Sequence, residues 1–277
     1  MTDLVRSVLY LPASNPRAVE KARGLDADVV VLDLEDAVAP DQKDAARDAA
    51  VQALAQGGFA ARVGVRINGL DTPWGWADLN ALSEARLIVA PKVEGAETVG
   101  ALSAALPGEC ELWAMIETPG AVLRLDAIAG SGGALRGLMF GTNDLSAALQ
   151  VGASDDREPL KPWLAATVAA ARTHGLLAID GVFNGLNDAD ALTAECRQGR
   201  LYGFDGKSLI HPSQIATANA VFAPSEEEVA HARAVVAAFA APDAAGLGAI
   251  RVEGRMTERL HLAAAERLLA RHAACAG

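Results

Sequence analysis

Cysteine is scarce and poorly placed for cross-linking: Cys110, Cys196 and Cys275 are odd in number, far apart and without any Cys-x-x-Cys spacing. Such thiols suit a reducing compartment, so a cytoplasmic location is expected. The five histidines, His174, His211, His231, His261 and His272, contain no His-Glu-x-x-His and encode no zinc site of that kind. A Gly-x-Ser-x-Gly nucleophile elbow is missing, and Gly130-Ser131-Gly132-Gly133 lacks the lysine and threonine of a phosphate loop. No apolar run approaches the roughly 20 residues that span a bilayer. The start, Met-Thr-Asp-Leu-Val-Arg-Ser, has no signal-peptide pattern. Positive charge is also short. A net charge of −11 argues against nucleic acid or anionic membrane as partners, and admits small anions only where a cation or an arginine reverses the local field.

What is present is apolar sequence in short, regular pieces. With 277 residues and 51% hydrophobic content, the chain can bury a large core. Apolar runs at 5–11, 29–34, 63–67, 87–90, 112–116, 135–140, 176–179 and around 201–210 alternate with helical stretches. Nearly uninterrupted runs such as 29–34 suit strands covered on both faces, as in a parallel sheet. Asn15-Pro16 offers an N-cap and a proline at the first helical position. Eight strand-helix alternations in about the length typical of the fold predict a (β/α)8 TIM barrel. A doubly wound sheet is disfavoured because the first turn, Leu11-Pro12-Ala13-Ser14, has no glycine. The barrel is expected over 1–222. Residues 223–277, opened by a Ser225/Glu228 capping box, are expected to form a helical extension or lid that packs on the barrel or on a neighbouring subunit.

In a barrel the site lies at the carboxyl ends of the strands. That rule collects Glu35 and Asp36, Arg66, Lys92, Glu117, Asp144, Asp180, and Asp205 with Lys207 on one rim. Glu117 follows a fully apolar run and Asp144 one broken only by Arg136 and Gly137, and two hard oxygen ligands with room for water and substrate describe a site for a magnesium-type cation. Arg66 lies inside an apolar run, where burial is costly without an anion. It is expected to pair with Glu35 or Asp36 and to hold a carboxylate or thioester oxygen of a substrate. Backbone amides at Thr118-Pro119-Gly120 and Gly141-Thr142-Asn143 are candidates for binding a substrate carboxylate, with plain tight turns as the alternative. Asp180 and Asp205, each beside a glycine, read as turn aspartates, and His211 before Pro212 reads as a turn residue.

Several segments together resemble one family: Arg6-Ser7-Val8-Leu9-Tyr10-Leu11-Pro12, Asp33-Leu34-Glu35-Asp36-Ala37-Val38 with Lys43 and Ala46-Arg47, Val65-Arg66-Ile67-Asn68, Pro91-Lys92-Val93-Glu94, Ile116-Glu117-Thr118-Pro119, Phe140-Gly141-Thr142-Asn143-Asp144-Leu145, and Gly203-Phe204-Asp205-Gly206-Lys207 through Ile210-His211-Pro212. In this order they are similar to the citrate lyase beta subunit family, the citryl-CoA and malyl-CoA lyase group. The resemblance implies a TIM barrel and Mg2+ held by Glu117 and Asp144, with Arg66 and Glu117 touching substrate. It implies cleavage of a 3-hydroxyacyl-CoA of the citryl, malyl or citramalyl class into acetyl-CoA or a homologue and a 2-oxo acid, in a homotrimer or hexamer. Alternatives are a magnesium-dependent aldolase on free 2-oxo acids, or a subunit working within a citrate lyase complex. Two positions depart from the family pattern: Ala13 follows Pro12 where glycine is frequent, and Glu258 follows Gly254-Arg255-Met256-Thr257 where aspartate is usual. Glu258, arriving from a neighbouring subunit's tail, is the expected acid that protonates the enolate carbon.

Overall fold

The computed structural model of the chain describes residues 4–152 and 154–275. Eight parallel strands close into a ring in sequence order: β1 (Ser7–Pro12), β2 (Val29–Asp33), β3 (Arg62–Arg66), β4 (Leu87–Ala90), β5 (Glu111–Ile116), β6 (Leu135–Phe140), β7 (Leu177–Asp180) and β8 (Gly206–Leu209), with β8 pairing back onto β1. The expected (β/α)8 barrel is therefore the fold. Alternate residues of each strand point inward. Val29 with Val31, Leu87 with Val89, and Trp113 with Met115 join Val8, Met139 and Ile179 in a packed interior. The barrel interior is thus filled by side chains.

The helices are α1 (Pro16–Ala22), α2 (Lys43–Gln56), α3 (Gly75–Ala81), α4 (Ala96–Ala105), α5 (Pro119–Val122), α6 (Leu125–Ala129), α7 (Thr142–Leu149), α8 (Lys161–Thr173), α9 (Ala189–Tyr202), α10 (Ile215–Phe222), α11 (Glu226–Ala240) and α12 (Arg259–Cys275). Asn15 caps α1 as its sequence requires, its side chain accepting from the Ala18 N–H at 3.1 Å. Three segments differ from the sequence expectation. The polar loop expected from 146 begins later, because Ser146-Ala147-Ala148-Leu149 continues α7 to a left-handed end at Gln150. Helix α9 runs on through Gly199, which sits where a Cβ would come 2.6 Å from Asp180 Oδ2, and carries Leu201 out to solvent. The last barrel strand consequently starts at Gly206 and buries Lys207 and Ser208, which hid it from a search for apolar runs.

A division into compact units falls between Asn219 and Ala220. In the second unit α11 opens with the Ser225/Glu228 capping box and α12 packs on it around Ala232, Val235, Val252 and Ala265. Between these helices lies a hairpin, β9 (Ala249–Val252) and β10 (Arg255–Glu258), where a single extended stretch and an earlier helix start are expected from sequence. Its turn residues Glu253 and Gly254 both have positive φ, the geometry a two-residue hairpin loop demands. Among the described residues no helix is long and apolar enough to cross a membrane.

Candidate active site

The rim is built from the last residue of each strand upward. Asp33 ends β2 and turns the chain: its Oδ1 accepts from the Glu35 N–H at 2.9 Å and its Oδ2 from the Ala37 N–H at 3.2 Å. The strand register sets Asp33 beside Arg66, and the guanidinium grips this carboxylate through Nε at 2.7 Å and Nη2 at 2.6 Å. Nη1 lies 2.9 Å from Glu35 and 3.3 Å from Asp36, and the guanidinium sits 5.1 Å from the centre of the Tyr10 ring. Glu35 and Asp36 do pair with Arg66, as the sequence suggests. The bidentate partner, however, is Asp33, which sequence reading absorbed into the strand. The signal was available: an acid near the end of one apolar run opposite an arginine near the end of the next.

Glu35 bridges to the next strand, with Lys92 Nζ 3.5 Å away, and does not itself line the cavity described below. Burial, reinforced by Asp36 and Asp33 and opposed by Arg66 and Lys92, pushes its carboxyl up to about 7. Lys43 reaches under this turn and donates to the carbonyls of Leu34 and Glu35 at 2.8 and 2.7 Å. Lys92 adopts φ 51, an uncommon conformation for a residue with a Cβ, and in it the Lys92 N–H donates to Glu117 Oε1 at 2.8 Å.

Glu117 is 1% exposed at the end of β5. A Cβ on residue 141 would come 2.3 Å from its Cβ and 2.6 Å from its Oε2, so only glycine at 141 lets this carboxylate lie where it does. Burial, then Glu35 and Asp144, push the Glu117 carboxyl up to about 8. Asp144 stands in the first turn of α7. Thr118 spends its hydroxyl as a helix cap on Ala121, so of the two candidate amide clusters it is Gly141-Thr142-Asn143 that lines the cavity.

Arg66, Asp33, Asp36, Glu117 and Asp144 all line one cavity of about 350 Å³, with Tyr10, Met115, Phe140, Val182, Ser208 and Ile210. Five carboxylates, those of Asp33, Glu35, Asp36, Glu117 and Asp144, surround Arg66 and Lys92, which leaves a local excess of negative charge. Among the described residues no hydrogen bond or ion pair reaches the Asp144 carboxylate or Glu117 Oε2, and no group of three or more metal-ligating side chains forms. Two carboxylates with unengaged oxygens, in a local excess of negative charge, fit a divalent cation whose remaining positions go to water and substrate.

The other sequence candidates lie elsewhere. Asp180 accepts from the Gly181 N–H at 2.8 Å as a turn aspartate does, and is beyond that a buried ion-pair centre: Arg157 Nη1 and Lys207 Nζ bind it at 2.7 and 3.1 Å. Asp205 pairs with Arg172 at 2.9 Å and accepts from the Ala178 N–H at 2.9 Å, again a structural role beyond a turn. His211 is the expected turn residue, accepting from the Ser213 N–H at 3.2 Å. Glu258 is exposed at the end of β10, in the second unit, where its N–H donates to His261 Nδ1 at 2.9 Å.

Comparison with known proteins gives the family of the chain. Residues 6–212 match the family described as HpcH/HpaI aldolase/citrate lyase. The chain is 45% identical over 274 residues to a (3S)-malyl-CoA thioesterase of Cereibacter sphaeroides, covering 98% of this chain and 95% of that protein. It is 36% identical over 295 residues to an L-malyl-CoA/beta-methylmalyl-CoA lyase of the same organism, covering 94% and 92%. Among solved structures it is similar to the CitE protein of Mycobacterium tuberculosis in complex with magnesium, acetoacetate and coenzyme A, at 33% identity, TM-score 0.81, and coverage of 99% of this chain and 100% of that one. The chain is thus an enzyme of this superfamily by sequence and by fold, and belongs to the HpcH/HpaI aldolase/citrate lyase family.

Proposed function

We propose that the protein is a Mg2+-dependent lyase for a 3-hydroxyacyl-CoA thioester of the malyl, citryl or citramalyl class, releasing acetyl-CoA or a homologue and a 2-oxo acid. The observation that carries this reading is the convergence of Arg66, Glu117 and Asp144 on one cavity. Glu117 and Asp144 would hold the cation, and the Lys92 N–H fixes the Glu117 carboxylate in place. A divalent cation there supplies Lewis acidity toward the hydroxyl and carboxylate oxygens of the substrate.

As the carbon-carbon bond breaks, negative charge moves onto the thioester oxygen. Arg66 is the cationic side chain that lines the cavity, and Asp33 holds it on two sides so that it need not reorganise. Glu35 and Asp36 orient its remaining edge. The hydroxyl proton must leave as the new carbonyl forms, and the enolate carbon must gain one. Glu258 from the tail of a neighbouring copy is the proposed donor, in a homotrimer or hexamer working in the cytoplasm.

Thioester hydrolysis at the same site is the second reading, favoured by the malyl-CoA thioesterase at 45% identity. Product analysis decides between them. Malyl-CoA incubated with purified protein and Mg2+ should give glyoxylate and acetyl-CoA; malate and free CoA would establish hydrolysis instead. Turnover of pyruvate with an aldehyde but of no thioester would show the enzyme to be an aldolase on free 2-oxo acids.

A further inference from the structure

The segment 181–185, after β7, forms neither helix nor strand, yet side chains of other elements hold it along its length. Lys207 Nζ donates to the Gly181 carbonyl at 2.6 Å. Gln214 Nε2 donates to the carbonyls of Phe183 and Gly185 at 3.0 and 3.2 Å. Asn184 and Asn143 exchange side-chain amide hydrogen bonds of 2.7 and 3.2 Å. Gln214 is 2% exposed, and its Oε1 accepts from the N–H groups of Ile210 and His211 at 3.0 and 3.3 Å. Both hydrogens and both lone pairs of this carboxamide are therefore used, clasping the loop after β7 to the loop after β8.

The clasped loops bring Val182 and Ile210 to the cavity. In the closed ring β7 stands four strands from β3, so this apolar wall lies across the cavity from Arg66. The start of the clasped loop packs directly on the first turn of α7, since a Cβ on Gly181 would come 1.9 Å from Thr142 Oγ1. The charged side chains of the cavity are suited to a substrate's oxygens, which leaves its carbon skeleton to the apolar side.

We propose that Gln214 is a positioning residue, and that the wall of Val182 and Ile210 which it holds selects substrates by alkyl substitution, favouring unbranched over methyl-branched hydroxyacyl thioesters. The proposal rests on the function given above. A wall fixed by saturated hydrogen bonds resists displacement by an added methyl, whereas a loosened one yields.

The test compares kcat and KM for malyl-CoA and β-methylmalyl-CoA, with Mg2+, in wild type, Val182→Ala, Gln214→Ala and Asn184→Ala. Amide hydrogen exchange of 181–185 is followed in parallel. Wild type should prefer the unbranched thioester, and Val182→Ala should shift the kcat/KM ratio toward the branched one by about tenfold. Gln214→Ala should shift it the same way, raise KM more than it lowers kcat, and accelerate exchange in 181–185. Asn184→Ala, at an exposed position, loosens the same segment should Gln214→Ala not fold, with a smaller shift of the same sign. An active wild type whose ratio stays put in the variants, or exchange unaltered by loss of the clasp, overturns the inference alone. A wild type inert toward both thioesters strikes the proposed function and removes the selectivity with it.

Discussion

Two clusters of charge are buried in the barrel, and they are built to opposite ends. Between β7, β8 and α9, Asp180 and Glu195 meet Arg157 and Lys207 with no charge left over, at side-chain exposures of 0%, 12%, 5% and 0%. Despite the opposing effect of burial, Lys207 and Arg157 hold the Asp180 carboxyl below its ordinary value. At the rim, five carboxylates crowd Arg66 and Lys92, and the Glu117 carboxyl is pushed up instead. Similar residue types thus give a closed, neutral strut in one place and an open, over-acidic pocket in the other. An uncompensated cluster that lines a cavity invites a cation; a compensated, buried one holds loops in place.

Arg66→Ala tests that contrast most severely. Cleavage of the preferred thioester should fall by about 10²–10³ in kcat, the scale for losing a donor aimed at developing charge. Thermal melting should show a loss of about 3–5 kcal/mol as well, because Asp33 is left buried without its cation. Wild-type turnover in this variant would remove Arg66 from the mechanism. On the strut side, Lys207→Met should cost a similar 3–5 kcal/mol by stranding Asp180 and Glu195, read from urea midpoints. A variant as stable as wild type would show that the balance of the strut is unimportant.

Glu117 should respond to pH in the opposite sense to Asp180. Its folded pKa is raised from 4.5 to about 8, so the metal-free fold loses stability as pH climbs from 4.5 through 8 and its carboxyl is forced to ionise. Melting at pH 6 and pH 9 should reveal the decline and Mg2+ should reduce it; Glu117→Gln should shrink the decline to the part that Glu35, raised to about 7, contributes, and should abolish the response to Mg2+. The smallest effect is expected at Asp180. Its depressed pKa gives stability present above the ordinary aspartate value near 3.9 and lost as pH falls through the folded value. Urea titrations between pH 5 and 3 should therefore be less steep in pH for Asp180→Asn than for wild type; equal slopes would mean that the strut does not depress this group.

Much of this was readable along the chain because it follows from local pattern. The strands at 87–90 and 112–116 appear where their apolar runs stand, since a strand covered on both faces must be apolar throughout. Glu117 and Asp144 were legible because each breaks such a run at its carboxyl end. Asp33 and Lys207 were not. Each is polar within a strand, and its burial is tolerable only because a partner far away in sequence meets it: Arg66 for Asp33, and Asp180 with Glu195 for Lys207. The course of α9 through Gly199 was missed for another reason, since a glycine-bearing stretch there is carried by packing rather than by propensity.

The order of apolar runs and the acid or base that closes each one were set by the amino-acid sequence alone, and with them the barrel and the rim on which chemistry collects. Tertiary structure decided which charges neutralise one another and which remain in excess. Charge balance depends on distances across neighbouring strands, as between Asp33 and Arg66 or Asp180 and Lys207. Coulomb energy and desolvation are set by those distances and by the depth of burial, neither of which is local to any stretch of sequence.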